Sequence, residues 1–449
     1  MVNVDAALAG LHRDGRPIQV AMVGAGTTGR MISVQLLTPV PGIRLAAIAN
    51  RSIDKAVLAY RNAGVEEVSR ADDVGQVERC IERGAYCVVD DPTLLCAAGN
   101  IDVIIEVTGA VEHGASVALD AIQHGKHIIL VNAEVDSTVG PILAEYARKA
   151  GVVMTNTDGD EPGVAMTLIR YLKSIGLRPV AAGNMKGMID HYRTPETQRE
   201  FAEKHGQSAA KVTSFADGTK LAMECAVLAN ASGFGVGQRG MYGPKCAHIS
   251  EMVGKLPADQ LLSGGLVDYA LGAAPYTGAF VLVHEDNPKK QKELAYFKLG
   301  DGPFYAFYVP YHLPHIQIAS TIAHAALYND ATVAPLGAPL CEVAAVAKRD
   351  LKAGEIIDEI GGYTTYGVIE NAKAFASEDL LPMGVAEGCR VLHDLPKDTA
   401  IAYADVALPE GRLCDQLRAE QARHFGTGDS SRSPFKASRD GHYGAALGA

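Results

Sequence analysis

The chain lacks any stretch that reads as a membrane span. Its apolar runs fall short of the roughly 18 residues needed to cross a bilayer. Its first residues, MVNVDAALAGLHRDG, lack the basic start, apolar stretch and cleavage site of a secretory signal. Paired cysteines are missing too. Cys80, Cys87, Cys96, Cys225, Cys246, Cys341, Cys389 and Cys414 are scattered and form no C-x-x-C. That argues against a zinc site or a disulfide framework and fits a reducing compartment, here the cytoplasm. The cysteines read as small buried hydrophobes. There is no excess of positive charge: the formal net charge is −11. Nucleic acid and anionic membrane are therefore not expected as partners. An anionic small molecule stays open, because a few local cations suffice for it.

What is present is a globular composition, 48% hydrophobic and 21% charged over 449 residues, enough for two or three domains. From residue 18 to 156, short Val/Ile-rich runs (IQVAMVG, RLAAIAN, IDVIIEVTG, KHIILVN, VVMTN) alternate with amphipathic stretches such as SIDKAVLAYRNAG. The fold class is α/β, with an N-terminal parallel sheet of the Rossmann kind over 1–157. Residues 66–100 are expected to add one helix and one short strand. Residues 158–335 mix strands and helices with loops such as HYRTPETQREF, and read as an α+β catalytic domain. Residues 336–420 are rich in strand and turn. There EVAAVAKRDLKAGEIIDEIGG and GCRVLHDLPKDTAIAYADVAL echo each other and predict a small β-rich domain. Residues 421–449 predict a flexible tail.

VAMVGAGTTGR carries G-x-G-x-x-G directly after an apolar strand and at the start of a helical pattern. Gly24 makes the turn, Gly26 admits a pyrophosphate and Gly29 lets helix pack on strand, with Thr27 and Thr28 at the helix N-terminus. The second strand ends in Asn50-Arg51-Ser52, without the carboxylate that usually holds a free ribose 2′-hydroxyl. An arginine and a hydroxyl suit the 2′-phosphate of NADP(H). Thr108 and Gly109, after IDVIIEV, are placed to line the nicotinamide end.

Three acids, Asp158, Asp160 and Glu161, follow the strand VVMTN. They suit Mg²⁺ or Mn²⁺, unless Asp160 or Glu161 simply caps the helix that Pro162 begins. Asp217, Lys220 and Glu224 open an otherwise apolar helix. Lys220 and Glu224 are one turn apart, so they form a mutual ion pair or face a substrate. In the second case Lys220 meets a substrate oxygen that gains charge. Lys186 ends a strand and offers a further cation. The histidines of FYVPYHLPH read as packed rather than metal-ligating.

With GAGTTGR, IANRSIDKA, DVIIEVTG, LVNAEVDSTVGPI, TDGDEPGV, SFADGTK, FYVPYHLPH, AKRDLKAGE, GGYTTYG and LLPMGVAEGCR in view, residues 5–420 resemble a known group. It is the homoserine-dehydrogenase-like proteins with a C-terminal SAF (β-clip) domain, which include the deoxyxylulose phosphate reductoisomerase-like enzymes. The resemblance implies reduction by NADPH of a small oxygen-rich substrate. Its best-matched reaction is conversion of 1-deoxy-D-xylulose 5-phosphate to methylerythritol phosphate, in isoprenoid precursor synthesis, with a divalent cation. Within it Asp217, Lys220 and Glu224 are catalytic, and Asp158-Gly159-Asp160 resembles an acid-x-acid metal motif. Asn132 and Glu134 border the substrate, and Lys186, Arg193 and Lys204 are candidates for a substrate phosphate. Homoserine dehydrogenases have lysine in a T-A-N-K motif where this chain has Val131-Asn132-Ala133-Glu134. Alternatives are a simple dehydrogenase of a sugar acid, polyol or homoserine-like substrate, and a cofactor-bound regulatory protein. A homodimer or larger homo-oligomer is expected.

Overall fold

The computed structural model describes residues 4–426 except residue 39. The expected tail from residue 427 onward lies outside the described residues. Seven strands form one parallel sheet: β1 (Ile18–Val23), β2 (Ile43–Ala49), β3 (Val68–Arg70), β4 (Tyr86–Val89), β5 (Val103–Glu106), β6 (His127–Leu130) and β7 (Met154–Asn156). Their order is β3-β4-β2-β1-β5-β6-β7. The order reverses at β1, so a crevice opens beyond the carboxyl ends of the strands there. The Val/Ile runs are buried on both faces, as a sheet covered by helices on each side requires. Residues 66–100 supply two strands and two helices rather than one of each: β3, helix Val74–Glu82, β4 and helix Thr93–Ala97. Neither strand is long enough to show a periodicity of its own.

A second sheet holds β8 (Arg178–Lys186), β9 (Leu266–Leu271), β10 (Ala279–His284) and β11 (Phe304–Val309), in the order β11-β10-β8-β9. Strand β10 runs antiparallel to both neighbours. Helices Glu161–Ser174 and Thr219–Ser232 pack on this sheet. Cys246, Ile249, Met252, Leu256 and Leu261 pack in a separate apolar cluster with Val180, Phe280 and Leu282. Part of the expected loop HYRTPETQREF is a helix, Pro195–Lys204. Thr194 and Thr197 cap each other's backbone there, and Pro195 sits at the first position. Helix Ile318–Tyr328 belongs to the first unit in packing, though not in sequence. Its Ile318, Ile322 and Ala323 share a core with Val20, Ile105 and Ile129.

The third unit pairs β12 (Cys341–Ala347) antiparallel with β13 (Thr365–Asn371), and β14 (Arg390–Val391) with β15 (Val406–Ala407). Its two echoing segments lie against each other. Leu351 and Leu395, matched in the echo, exchange both backbone hydrogen bonds at 2.9 Å. Asp350 accepts from the Lys397 N–H at 2.8 Å, and Asp394 from the Ala353 N–H at 3.0 Å. The echo is thus a local pseudo-two-fold. Helix Leu413–Phe425 runs past the expected boundary at 420 and packs on helices Val111–Gln123 and Ala133–Ala150. Glu112 accepts from the N–H groups of Leu413 and Cys414, which the start of a helix leaves without partners. Among the described residues no helix is long and apolar enough to cross a membrane.

One buried ion pair ties the third unit to the second. The Lys348 ammonium donates to Asp217 Oδ2 at 2.9 Å, to the Arg193 carbonyl at 2.9 Å and to the Gly362 carbonyl at 2.8 Å. All three of its protons are used, which is what a lysine side chain 3% exposed requires. Lys348→Met leaves the Asp217 charge buried and unpaired. We expect a loss of about 3–5 kcal/mol in urea unfolding. The double variant with Asp217→Asn should regain a large part of it. An unchanged urea midpoint in Lys348→Met would contradict this.

Candidate active site

The turn after β1 is built for close approach. Gly24 has φ 113°, and a Cβ on Gly29 would lie 2.3 Å from the Gly24 carbonyl. A Cβ on Gly26 would meet nothing within 4 Å. The loop is therefore packed beneath and open above, at the N-terminus of helix Thr27–Leu37, which fits a dinucleotide pyrophosphate. Asn50 is engaged by the loop itself. Its Oδ1 accepts from the Ala25 N–H at 3.1 Å and its Nδ2 donates to the Ser52 carbonyl at 2.8 Å, so it shapes the loop. The exposed Arg51 lines the cleft and makes no ion pair among the described residues.

That cleft encloses about 990 Å³. Thr108, Gly109, Glu134, Lys211 and Lys220 line it, and Glu359, Gly384 and Glu387 of the third unit close its far wall. Two adjacent strands, β5 and β6, deliver its floor at their carboxyl ends. After β5, the buried Glu106 accepts from the Thr108 N–H at 2.8 Å, from the Thr108 hydroxyl and from Asn132 Nδ2 at 2.7 Å. After β6, Asn132 caps helix Ala133–Ala150 by accepting from the Val135 N–H at 3.2 Å. Asn132 is 0% exposed, so it orients this helix and does not touch substrate. The first turn of the helix presents Glu134 to the cleft.

Lys220 reaches Glu134 at 3.1 and 3.2 Å. The alternative Lys220–Glu224 pair does not form. Glu224 instead accepts from Asn184 Nδ2 at 2.8 Å and lies 3.6 Å from Lys186, which donates to Glu161 at 2.7 Å. Burial opposes the Lys220 ammonium, but Glu134, Asp160 and Glu224 outweigh burial and hold its pKa above the ordinary lysine value. Lys186 is raised in the same way, with Glu161 and Glu224 outweighing burial. Burial also opposes the Glu161 carboxylate, yet Lys186 and His312 keep it lowered. Asp160 and Glu224 are raised, first by burial and then by the charge of Glu161. The site therefore sets two fixed ammonium groups beside carboxyls that hold protons readily. Such a set stabilises negative charge on an oxygen and exchanges protons with it.

His312, read from the sequence as a packed residue, belongs to the site. Its Nε2 lies 3.5 Å from Glu161, and its Nδ1 meets the Thr277 hydroxyl at 2.8 Å. Asp160, Glu161 and His312 place ligand atoms within 4.8 Å of one another, a donor set that suits a divalent cation. The approach depends on Gly159, where a Cβ would lie 2.3 Å from the Leu313 carbonyl. Asp158 is not part of this group. It accepts from the Ser320 hydroxyl at 2.8 Å and lies 3.4 Å from His324, so it anchors helix Ile318–Tyr328. Asp217, expected to be catalytic, is 0% exposed and bound to Lys348 and the Thr219 N–H. Arg193 is paired with Asp190 at 3.0 Å, and Lys204 is exposed at the end of its helix.

Residues 24–155 match the family "Homoserine dehydrogenase, NAD binding domain", and residues 159–318 match "Oxidoreductase DRL, catalytic domain". The first two units thus each match one of these domain families, which supports an oxidoreductase with a nicotinamide cofactor. A homoserine dehydrogenase of Synechocystis sp. is 25% identical over 229 residues, 49% of this chain and 48% of that protein. One of Bacillus subtilis is 25% identical over 136 residues, 30% of this chain and 28% of its own length. The chain thus spans about half or less of the curated relatives it matches. Among solved structures, a probable dehydrogenase from Thermotoga maritima is 13% identical with TM-score 0.40, covering 71% of this chain and 90% of the other. A DOX-P reductoisomerase structure with fosmidomycin and magnesium is 15% identical with TM-score 0.37, covering 70% of each.

Two tests follow from this geometry. Glu134→Gln and Lys220→Met should each destabilise, and the double variant should lose less than their sum. We expect a coupling of about 1–3 kcal/mol from the thermodynamic cycle; additivity would mean the pair is not formed. The second test concerns Asp136, in the same helix. Burial raises its carboxyl from 3.8 to about 7. The folded state therefore favours the protonated form, and the stability cost of the charge grows from pH 4 and is complete above about pH 7. Asp136→Asn should raise Tm at pH 8, and the gain should shrink toward pH 4. A pH-independent difference in Tm would rule this out.

Proposed function

We propose that the protein is an NADPH-dependent oxidoreductase of a small oxygen-rich substrate, with a reductoisomerase-type reaction on 1-deoxy-D-xylulose 5-phosphate as the best-fitting case. The observation that carries this reading is the position of Lys220. It is a fixed ammonium 3.1 Å from Glu134, and the two line a cleft shared with Arg51, Thr108 and Gly109; the charge of Asp160, which clusters with Glu161 and His312, also acts on it. The dinucleotide, when bound, supplies the hydride. The choice of NADPH rests on Arg51 and Ser52, with Asn50 in place of a repelling carboxylate.

Lys220 donates a hydrogen bond to the substrate oxygen on which negative charge develops, and Glu134 holds it in place. Without a cation bound, Asp160, whose carboxyl is raised, gives or takes a proton there; a bound cation would keep it ionised. Lys186 is locked between Glu161 and Glu224 and fixes both acids. A divalent cation held by Asp160, Glu161 and His312 would polarise neighbouring substrate oxygens. The third unit is read as an SAF-like wall that limits the size of the substrate. The cysteine pattern fits the cytoplasm and the net charge of −11 fits no nucleic-acid or anionic-membrane partner; a homodimer or larger homo-oligomer is proposed on base rate alone. A second reading, a metal-free dehydrogenase of a sugar acid or polyol, is favoured by the claim that Lys186 already makes on Glu161.

The test is NADPH absorbance against deoxyxylulose phosphate, homoserine and C4–C6 sugar acids, each with and without Mn²⁺. Lys220→Ala should lower kcat by at least about 100-fold and leave dinucleotide affinity within a few-fold. Unchanged turnover in that variant overturns the assignment of Lys220. Full turnover after exhaustive chelation removes the metal-assisted rearrangement and leaves the simple dehydrogenase.

A further inference from the structure

Lys211 is a cation of the cleft that this chemistry leaves without a task. It stands on helix Ala209–Ala216 of the second unit, and its ammonium lies 3.5 Å from Thr28 Oγ1 of the glycine loop. Lys220 and Lys186 each have a carboxylate within 4 Å. Lys211 makes no ion pair among the described residues, and it lines the cleft. Its side chain is exposed at the cleft wall; partial desolvation there, and then the charge of Lys220, press its pKa down. An anion beside it would offset both.

The segment that carries Lys211 is docked on the loop. The Thr27 hydroxyl donates to the Gly206 carbonyl at 2.9 Å. The Ser208 side chain accepts from the Lys211 N–H at 3.2 Å and starts the helix at this point. Two successive glycine-loop residues, Thr27 and Thr28, therefore touch residues 206–211. These two threonines open helix Thr27–Leu37, whose N-terminus no side chain caps among the described residues, as an anion site requires.

We propose that Lys211 is a phosphate-binding residue that the second unit contributes to the first. Its ammonium closes over a phosphate seated at the N-terminus of helix Thr27–Leu37. The proposal rests on the dinucleotide reading above, and the bridging pyrophosphate is the phosphate that this position fits best. A phosphate ester on the substrate shares the same chemistry. In either case the phosphate site is complete only when the second unit is packed on the first.

The test is a fluorescence titration of NADPH and NADH into wild type, Lys211→Ala and Lys211→Arg, with a melting curve for each. Lys211→Ala should weaken both dinucleotides by roughly 10- to 100-fold, the range expected for a charged hydrogen bond. Lys211→Arg should recover most of that, and Tm should stay unchanged. A parallel calorimetric titration of inorganic phosphate into NADPH-saturated protein separates the two sources. Unchanged dinucleotide affinity with loss of phosphate binding in Lys211→Ala assigns the residue to the substrate phosphate. No change in either titration overturns the proposal. If wild type binds neither dinucleotide, the cofactor reading fails by itself. Phosphate titrated into the free proteins then tests Lys211 in its place.

Discussion

Lys220 is held in a helix that is buried on every side, and most of the site follows from that. Of helix Thr219–Ser232, only Lys220 is not fully buried. Charges on such a helix must be met, because a buried charge without a partner costs several kcal/mol. Glu134 meets Lys220 from the dinucleotide unit. Glu224, one turn on, is met by Lys186, which in turn holds Glu161. The acids and lysines therefore alternate within the second unit, and the Lys220–Glu134 pair joins it to the first. The alternation keeps the ammonium groups charged and leaves Asp160 and Glu224 ready to hold protons.

The third unit fixes where that helix begins. Lys348 holds Asp217, Asp217 accepts from the Thr219 N–H at 2.8 Å, and the Thr219 hydroxyl accepts from the Gly367 N–H at 2.8 Å. His191 stacks on Tyr366 with ring centroids 4.6 Å apart, and its Nδ1 meets the Asp217 carbonyl at 2.7 Å. Asp217 thus stands next to the chemistry without taking part in it. The family resemblance implied a catalytic Asp217, but a carboxylate at a helix start serves a buried tie equally well. Helix Leu413–Phe425 then returns to the first unit, so the third unit braces both sides of the cleft.

The motifs that were legible in the sequence are those whose physics is local. Gly24, Gly26 and Gly29 stand where a tight turn, an open phosphate face and a helix–strand contact each require glycine. The Val/Ile runs revealed β1, β2, β5, β6 and β7 because a sheet covered on both faces needs continuous apolar strands. The echo around Leu351 and Leu395 was visible because the two segments carry the same turn chemistry. Strands β3 and β4 were merged because runs this short have no period to read. Most of helix Pro195–Lys204, residues 195–201, was taken for loop because it is strongly polar and begins with proline.

By itself the sequence determined the dinucleotide fold, the open face of its glycine loop and the absence of a carboxylate after β2. Those properties follow from neighbouring residues and from strand and helix periods. Only the tertiary structure decided which charges meet. It paired Lys220 with Glu134 rather than Glu224, drew His312 to Glu161 through the close approach at Gly159, and turned Asp158 and Asp217 into anchors. Ion-pair partners are set by which distant elements share one desolvated volume, and spacing along the chain carries no record of that.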